Sequence, residues 1–308
     1  MREGQLAANE PVHVPVLAGE VVGWLRDVPG GVVVDCTLGI GGHAQLLLES
    51  NPGLRLIGLD ADEQNCTLAA GRLSGFGERV RVIRANFGEL GSVLAEAGVG
   101  RVGGILADLG VSSNQLADPL RGLSFEVDGP LDMRLDSRLE RTAADLVNTL
   151  PEAELADLLY LQSQERRSRR IARRICEERK RGRLDSTVLL ARLVEAAVGR
   201  GPGWRPSRIH PATRTFMALR MSVNDEAGCL RRLLEQAPGC LGAGGRVAVI
   251  TFHSGEDQLV KQDFRRRARL GAYRLLTKKP IVASTAERCE NPRSRSAKLR
   301  VAELATEA

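Results

Sequence analysis

The sequence predicts an α/β fold in which a doubly wound, mostly parallel sheet carries an inserted helical domain. Two observations predict it. Short apolar runs typical of buried strands alternate with helix-like patterns over residues 31–107, and strand patterns return only at residues 245–251 and 298–301. Alternating strands and helices form βαβ units, whose strands are parallel.

The predicted elements follow one another at regular spacing. Strands are predicted at residues 31–35, 54–59, 79–83 and 102–107, and helices at residues 44–49, 63–73 and 90–97. Residues 118–208 contain loops and charged helical segments without a convincing buried strand. We therefore predict a discontinuous sheet domain of residues 1–117 and 209–308, and an inserted helical domain of residues 118–208.

Composition favours a cytoplasmic protein. No apolar run in the 308 residues approaches the length of about 20 that spans a bilayer, and the first residues lack the apolar core of a signal peptide. The six cysteines form no CxxC pair and no zinc-like cluster. We therefore expect reduced, structural thiols, no metal site and no membrane partner.

The basic residues are concentrated in two zones. The net charge is +6, but residues 163–183 hold ten Lys/Arg against three Asp/Glu, and residues 261–300 hold thirteen against three. Two basic zones on an otherwise acidic chain predict a polyanionic partner. Aromatic residues make up only 3% of the chain, which favours a folded RNA over an extended single strand stacked on aromatic side chains.

The first strand is followed by a glycine-rich turn that suits a nucleoside ligand. Glycines in residues 35–43 allow a ligand close to the main chain, and the next helix presents free N–H groups. Asp60, at the end of the second strand, can accept hydrogen bonds from both hydroxyls of a ribose. The spacing Gly39-x-Gly41-x-x-Ala44 also satisfies the dinucleotide fingerprint, so a nicotinamide-linked oxidoreductase stays open at this point.

Later features favour a methyltransferase over a dinucleotide enzyme. Phe87 follows the third strand and could lie against an adenine, and Asp108 ends the fourth strand at the same sheet edge. A dinucleotide enzyme needs a second mononucleotide-binding half here, where this chain has the helical insertion.

Several long motifs resemble one family across nearly the whole chain. The sequence resembles the bacterial ribosomal small-subunit RNA cytosine-N4 methyltransferase family, known as RsmH or MraW. The matching segments, in family order, are HVPV at 13–16, GGH at 41–43, GLDAD at 58–62, GILADLGVSS at 104–113, RGLSF at 121–125, DGPLDMR at 128–134, HPATRTF at 210–216, VNDE at 223–226, FHS at 252–254 and NPRSR at 291–295.

The resemblance implies a class I, Rossmann-like fold that binds S-adenosylmethionine, with the inserted helical domain recognising substrate. It implies methylation of the exocyclic N4 of a cytidine in the decoding centre of 16S rRNA, with the free RNA or the small ribosomal subunit as partner. The cofactor contacts carry over to Gly41, Gly42, His43, Asp60, Phe87, Asp108 and Gln115.

Each of these residues has a physical interpretation. Gly41 and Gly42 would admit the methionine portion of the cofactor, with His43 facing its carboxylate. Phe87 would form an apolar wall for adenine, while Asp108 and Gln115 complete the polar lining.

Catalytic and substrate residues are less sharply defined. Asp108 is a candidate for cofactor binding or for orienting the target amine, and His253 is a second catalytic candidate that is equally compatible with a structural histidine. The expected substrate contacts are Arg134, Arg169, Arg170, Arg173, His210, Arg214 and Asn224. An amino-methyltransferase acting on another RNA or on DNA, and a non-catalytic RNA-binding protein, stay open as alternatives, as does a monomer or a homodimer.

Overall fold

The computed structural model describes residues 14–199 and 210–306. Its helices are α1 (Ala18–Leu25), α2 (Gly42–Ser50), α3 (Glu63–Leu73), α4 (Leu90–Glu96), α5 (Ser113–Ala117), α6 (Ala143–Thr149), α7 (Glu152–Ser163), α8 (Ser168–Glu178), α9 (Thr187–Val198), α10 (Thr213–Val223), α11 (Glu226–Cys240), α12 (Ser254–Arg269) and α13 (Thr285–Glu290). Its strands are β1 (Val32–Asp35), β2 (Arg55–Asp60), β3 (Val80–Arg84), β4 (Val102–Asp108), β5 (Leu241–Thr251), β6 (Tyr273–Leu275), β7 (Ile281–Val282) and β8 (Lys298–Leu304).

The strands form one sheet in the order β3-β2-β1-β4-β5-β8-β6, and β7 pairs with β8. The first five strands in this order are parallel, whereas β8, β6 and β7 pair antiparallel. The α/β fold class with a mostly parallel, doubly wound sheet is thereby confirmed.

Both faces of the sheet are covered by helices, as the unbroken apolar character of the strands requires. Alternate residues of a strand face opposite sides. Val33 and Leu106 accordingly pack in one apolar core with α1 and α2, and Val34 and Ile105 pack in another with α4 and α11. This packing fixes the strand ends, and with them the polar side chains at the edge.

A third apolar core lies among helices rather than against the sheet. It joins α6, α7, α8 and α9 to α10, whose Phe216, Leu219 and Val223 are buried in it. The prediction assigned residues after 208 to the sheet domain, so the packing of α10 extends the helical unit beyond that boundary. Residue 208 itself lies outside the described residues, and the predicted domain limits stay a prediction.

Within residues 14–199 and 210–306, none of the helices is both long enough and apolar enough to cross a membrane.

Candidate active site

Three carboxylates lie at the carboxyl edge of the parallel strands. Asp35, Asp60 and Asp108 are the last residues of β1, β2 and β4. They come together because β1 lies between β2 and β4, at the point where the strand order reverses and where open α/β sheets bind ligands. Burial raises the pKa of Asp35 and that of Asp60 to about 6.

The turn between β1 and α2 is held against the end of β2. Gly39 and Gly41 have φ angles of 53° and 82°, in the left-handed region that favours glycine. The Gly39 N–H donates to Asp60 Oδ2 at 2.8 Å. A Cβ at Gly39 would meet nothing closer than Ser112 Cβ at 3.9 Å, so the main chain is open to a ligand there.

Gly41 and Gly42 have a packing role that the sequence did not reveal. A Cβ at Gly41 would lie 3.1 Å from Leu73 Cδ1, and one at Gly42 would lie 2.7 Å from Pro15 Cγ. Contacts this short force the neighbouring side chain to move. Both glycines are therefore required for the close packing of the start of α2, and their predicted contact with the cofactor stays a prediction.

Most of the hydrogen-bond acceptor positions of the Asp60 carboxylate are used by neighbouring residues of the protein. It accepts hydrogen bonds from the Gly39 N–H, the Asp62 N–H at 2.8 Å and Asn65 Nδ2 at 3.2 Å. A carboxylate offers about four acceptor positions. About one position is therefore left for a ribose hydroxyl, where the sequence had suggested that Asp60 could serve both.

His43 faces a carboxylate rather than open space. The ring is buried, and its Nε2 lies 3.4 Å from Asp108 Oδ2 without the alignment of a hydrogen bond. Asp108 Oδ1 is also buried without a partner among the described residues. The Asp108 N–H donates to Thr37 Oγ1 at 2.6 Å, which fixes the strand end. His43 therefore lies beside Asp108, and its predicted contact with the carboxylate of the cofactor stays a prediction.

Gln115 belongs to a buried network behind this edge. Its Nε2 donates to Asp62 Oδ2 at 2.8 Å, and its Oε1 accepts from the Ser112 N–H at 3.0 Å. Arg121 also donates to Asp62, at 2.9 Å. These bonds use half of the hydrogen-bonding capacity of the Gln115 side chain, and the residue is 4% exposed, so its direct contact with a cofactor stays a prediction.

Four residues of the site were missed by the sequence reasoning: Asp35, Thr37, Asp62 and Asn65. Asn65 is 1% exposed and joins α3 to the loop after β4 through Asn114 Nδ2, which donates to its Oδ1 at 2.8 Å. A polar residue on the buried side of an otherwise apolar helix pattern was the available signal.

Phe87 lies where an adenine wall is expected. It opens a short 3-10 helix directly after β3 and is half-buried against the core beneath α4 and α11. Its ring thus retains an exposed part, and the predicted contact stays a prediction.

His253 caps a helix instead of facing the open edge. It is the N-cap of α12, and its Nδ1 accepts from the Glu256 N–H at 3.4 Å. Its Nε2 lies 3.1 Å from Glu256 Oε1 and is buried. Both ring nitrogens lie beside Glu256, so the described contacts of His253 are those of a helix cap, and its catalytic role stays a prediction.

Two predicted substrate contacts are internal. Arg134 forms a two-pronged ion pair with Asp132 and donates to Leu139 O at 2.8 Å. Asn224 is 9% exposed; its Oδ1 accepts from the Leu135 N–H and its Nδ2 donates to Met133 O, both at 2.8 Å. Both residues hold the loop that links the sheet to the helical unit. Arg134 still has two N–H groups without a described partner and its side chain is 27% exposed, so the predicted substrate contacts stay predictions.

The remaining predicted substrate residues are nearer the surface. His210 Nε2 lies 2.8 Å from Glu195 Oε1, and its ring lies 4.5 Å from that of Phe125. Arg169 pairs with Asp157, and Arg173 pairs with Glu152. By contrast, the side chains of two exposed arginines have no ion-pair or hydrogen-bond partner within the described residues: Arg170 and Arg214.

A separate polar pocket of about 460 Å³ lies on the outer side of this edge. It is lined by the start of α3 and by the loop at residues 118–137, including Asp62, Arg121, Asp132 and Arg134. These four residues are engaged in ion pairs with one another, so the pocket offers few free polar groups.

Unpartnered polar atoms favour the carboxyl edge of the strands, rather than this pocket, as the candidate ligand site. His43 Nε2, Asp108 Oδ1 and Ser113 Oγ are all buried without a hydrogen-bond partner among the described residues. Such groups are costly unless a ligand satisfies them. Together with acidic strand ends and an open glycine turn, they fit a cationic nucleoside. The fold and site thus define an α/β enzyme that binds a nucleoside cofactor.

Comparison with known proteins places the chain within that class. A family profile described as the MraW methylase family matches residues 10–305, and the chain belongs to this family. The family assignment confirms the predicted resemblance, a methyltransferase as the class of enzyme, and S-adenosylmethionine as the cofactor.

Relatives of nearly equal length carry one name, "Ribosomal RNA small subunit methyltransferase H". The protein from Geobacter sulfurreducens is 49% identical over 94% of this chain and 98% of its own length. That from a Synechococcus species is 52% identical over 94% of this chain and 97% of its own. That from Solibacter usitatus is 47% identical over 95% and 100%.

Proposed function

We propose that this chain transfers a methyl group from S-adenosylmethionine to the exocyclic N4 of a cytidine in the decoding centre of 16S rRNA. The single observation that carries a reaction at this edge is the set of buried, unpartnered polar atoms around Asp108. The names of the relatives support small-subunit rRNA as the substrate. A bacterial rRNA is modified in the cytoplasm, which is therefore part of the proposal.

The reaction depends mainly on positioning. Bound S-adenosylmethionine supplies a methyl group on a sulfonium, which is already strongly electrophilic. The cytosine amine is a poor nucleophile because its lone pair is delocalised into the ring. Holding two reactants in line contributes about 7–11 kcal/mol in favourable cases. The main task of the side chains is therefore to hold the amine in place.

Asp108 is the residue best placed to orient the amine. Its Oδ1 is buried and free to accept an N–H, while its Oδ2 faces His43. Thr37 fixes the main chain of Asp108 through the hydrogen bond to its N–H. A carboxylate in this position accepts a hydrogen bond from the amine, which orients the nitrogen lone pair toward the methyl group and stabilises the positive charge that develops on nitrogen. As the N–C bond forms, the C–S bond would break with its electron pair left on sulfur, and Asp108 would take the proton that the methylated amine loses.

The cofactor contacts follow from the same edge. We place the ribose at the remaining acceptor position of Asp60, the adenine against the exposed part of Phe87, and the methionine portion along the turn at Gly39 and Gly41. Gln115 acts indirectly in this arrangement, by holding Asp62.

The helical unit would present the RNA to this edge. Arg170 on α8 and Arg214 on α10 are exposed and are not engaged in ion pairs with described residues, so they can bind phosphates without first breaking an internal contact. Either free 16S rRNA or the small subunit is compatible with such contacts.

The proposal is tested by methyl transfer from labelled S-adenosylmethionine to small ribosomal subunits from a strain that lacks this activity. Digestion to nucleosides and mass spectrometry should find the label in N4-methylcytidine alone. Label in another nucleoside, or labelling of DNA only, would assign the chain to a different substrate, and absence of transfer to any nucleic acid would exclude the reaction.

A further inference from the structure

A group of basic residues lies beside the site on a segment that the function above does not use. We call it the C-terminal basic edge: Lys278, Lys279, Arg288, Arg293 and Arg295. All five side chains are exposed. None has a carboxylate within ion-pair distance in the described part of the chain, and residues 278–297 contain only two acidic residues.

The topology places Arg288, Arg293 and Arg295, which lie between β7 and β8, at the same edge of the sheet as Asp108; Lys278 and Lys279 precede β7 and flank this edge. Lys298, the first residue of β8, pairs with Thr251, the last residue of β5, and also with Val282 of β7. The residues between β7 and β8 must therefore project beyond the carboxyl ends of the strands. β5 is the direct neighbour of β4, whose last residue is Asp108.

Hydrogen bonds fix this segment to the other side of the site. Glu287 Oε1 accepts from the Leu17 N–H at 2.7 Å, and Asn291 Nδ2 donates to Val14 O at 3.0 Å. The same stretch includes Pro15, which packs against Gly42 at the start of α2. The segment that carries the basic edge is thus held against the glycine turn. Glu287, one of the two acidic residues of this segment, is engaged in that contact.

The basic run on α8 and just beyond it differs in this respect. Five of its ten basic residues already face a carboxylate, namely Arg169, Arg173, Arg174, Arg181 and Arg183, and four exposed ones have no carboxylate partner within the described residues, namely Arg166, Arg167, Arg170 and Lys180. A phosphate must compete with the carboxylate for each of the five paired arginines. An unpaired cation has no such competitor, and its neutralisation of a phosphate releases counterions without an opposing loss.

We propose that the C-terminal basic edge is a main phosphate-binding surface of this enzyme and holds the RNA backbone beside the target nucleotide. This inference rests on the proposed function for the identity of the RNA, but not for the location of the surface. The edge and the unpaired basic residues of the helical unit would contact the RNA as separate surfaces, each contributing to the salt-dependent affinity.

The test measures how binding to transcribed 16S rRNA depends on KCl concentration. The variant R293A/R295A should bind more weakly, and the slope of log K against log [KCl] should become shallower by about 1.5, since each phosphate contact contributes about 0.7–0.9. Affinity for S-adenosylmethionine should be unchanged. The charge-retaining variant R293K/R295K should keep the wild-type slope.

A matched control removes the same charge elsewhere. Arg55 and Arg101 are exposed and lie at the opposite, amino edge of the sheet, with side chains that have no partner within the described residues. R55A/R101A should leave the slope within about 0.3 of wild type. If both double variants change the slope equally, or if R293A/R295A leaves it unchanged, the inference is overturned.

A second pair guards against misfolding. Should R293A/R295A lower the melting temperature, R288A/R295A decides instead, because both arginines are exposed, lie between β7 and β8 and have no carboxylate partner within the described residues. These experiments distinguish a failure of this inference from a failure of the proposed function. If wild type binds RNA through this edge but methylates no cytidine, the proposed function fails alone; if it methylates normally while both pairs keep the slope, this inference fails alone.

Discussion

His43 Nε2 lies 3.4 Å from Asp108 Oδ2, and the other oxygen of the same carboxylate is buried without a partner among the described residues. One oxygen thus lies beside the His43 ring, and the other has no partner within the described residues and is left for a ligand. This division of roles explains why a buried histidine follows the glycine turn.

Asp108 is predicted to be essential for turnover. D108N keeps the shape of the side chain but replaces an acceptor oxygen by an NH₂ donor. We expect kcat to fall by about 100-fold or more, by analogy with the loss of a single transition-state hydrogen bond. Methyl transfer is measured together with calorimetric binding of S-adenosylmethionine; a fall in kcat at constant cofactor affinity assigns Asp108 to the amine.

The control for this substitution is D27N. Asp27 is exposed and pairs only with its neighbour Arg26, so the D27N variant should methylate RNA as fast as wild type. Near-normal methylation by D108N would remove Asp108 from the site.

Asp35 is predicted to make stability depend on pH. Burial raises its pKa to about 6, above the unfolded value of 3.8, so its contribution to stability is fully present below pH 3.8 and is lost as the pH rises through 6. D35N removes this loss. The free energy of unfolding of D35N should exceed that of wild type by about 1–3 kcal/mol at pH 7.5 and by about half as much at pH 5.

Urea unfolding at the two pH values measures the difference. A D35N–wild-type difference that is constant between pH 5 and pH 7.5 would show that Asp35 is ionised without cost in the folded protein.

Gly42 is predicted to be intolerant of even one additional carbon. G42A places a Cβ 2.7 Å from Pro15 Cγ and should cost about 1–3 kcal/mol of stability, with weaker cofactor binding because the start of α2 shifts. Gly23, in α1, has nothing within 4 Å of the added Cβ, so G23A should be neutral or more stable by up to about 1 kcal/mol. Equal melting temperatures for the two variants would refute this packing account.

Substitutions at Asn224 and Arg214 are predicted to have different effects, the first on the stability of the protein and the second on RNA binding. N224A leaves the Leu135 N–H and Met133 O without their partner and should lower stability by about 1–3 kcal/mol. R214A should leave stability unchanged and weaken RNA binding, since this side chain is exposed and makes no described contact. Thermal unfolding and filter binding on both variants check this; a stable N224A with weakened RNA binding would restore Asn224 as a substrate contact.

The sheet could be predicted from sequence because each central strand is a short apolar run bounded by turn residues. All six strands expected between residues 31 and 301 are present. β6, β7 and α13 were not predicted because they are only three, two and six residues long and carry no period of their own. Their position depends on pairing with β8.

The site was predicted less completely, for a physical reason. Strand-end carboxylates such as Asp60 follow from local pattern, but the hydrogen-bond partners of a side chain do not. Nothing near Asn224 in the sequence indicates that it binds Met133 and Leu135, about 90 residues away. The cap of α12 at His253, paired with Glu256, is likewise not indicated by the FHS motif alone.

The most direct test of the account is a crystal structure of this chain with S-adenosylmethionine. We expect the ligand at the carboxyl edge, with its ribose at Asp60, its adenine against Phe87 and its methyl group directed toward Asp108. A ligand bound instead in the 460 Å³ pocket between α3 and the loop at residues 118–137, with Asp108 uncovered, would contradict the proposed site.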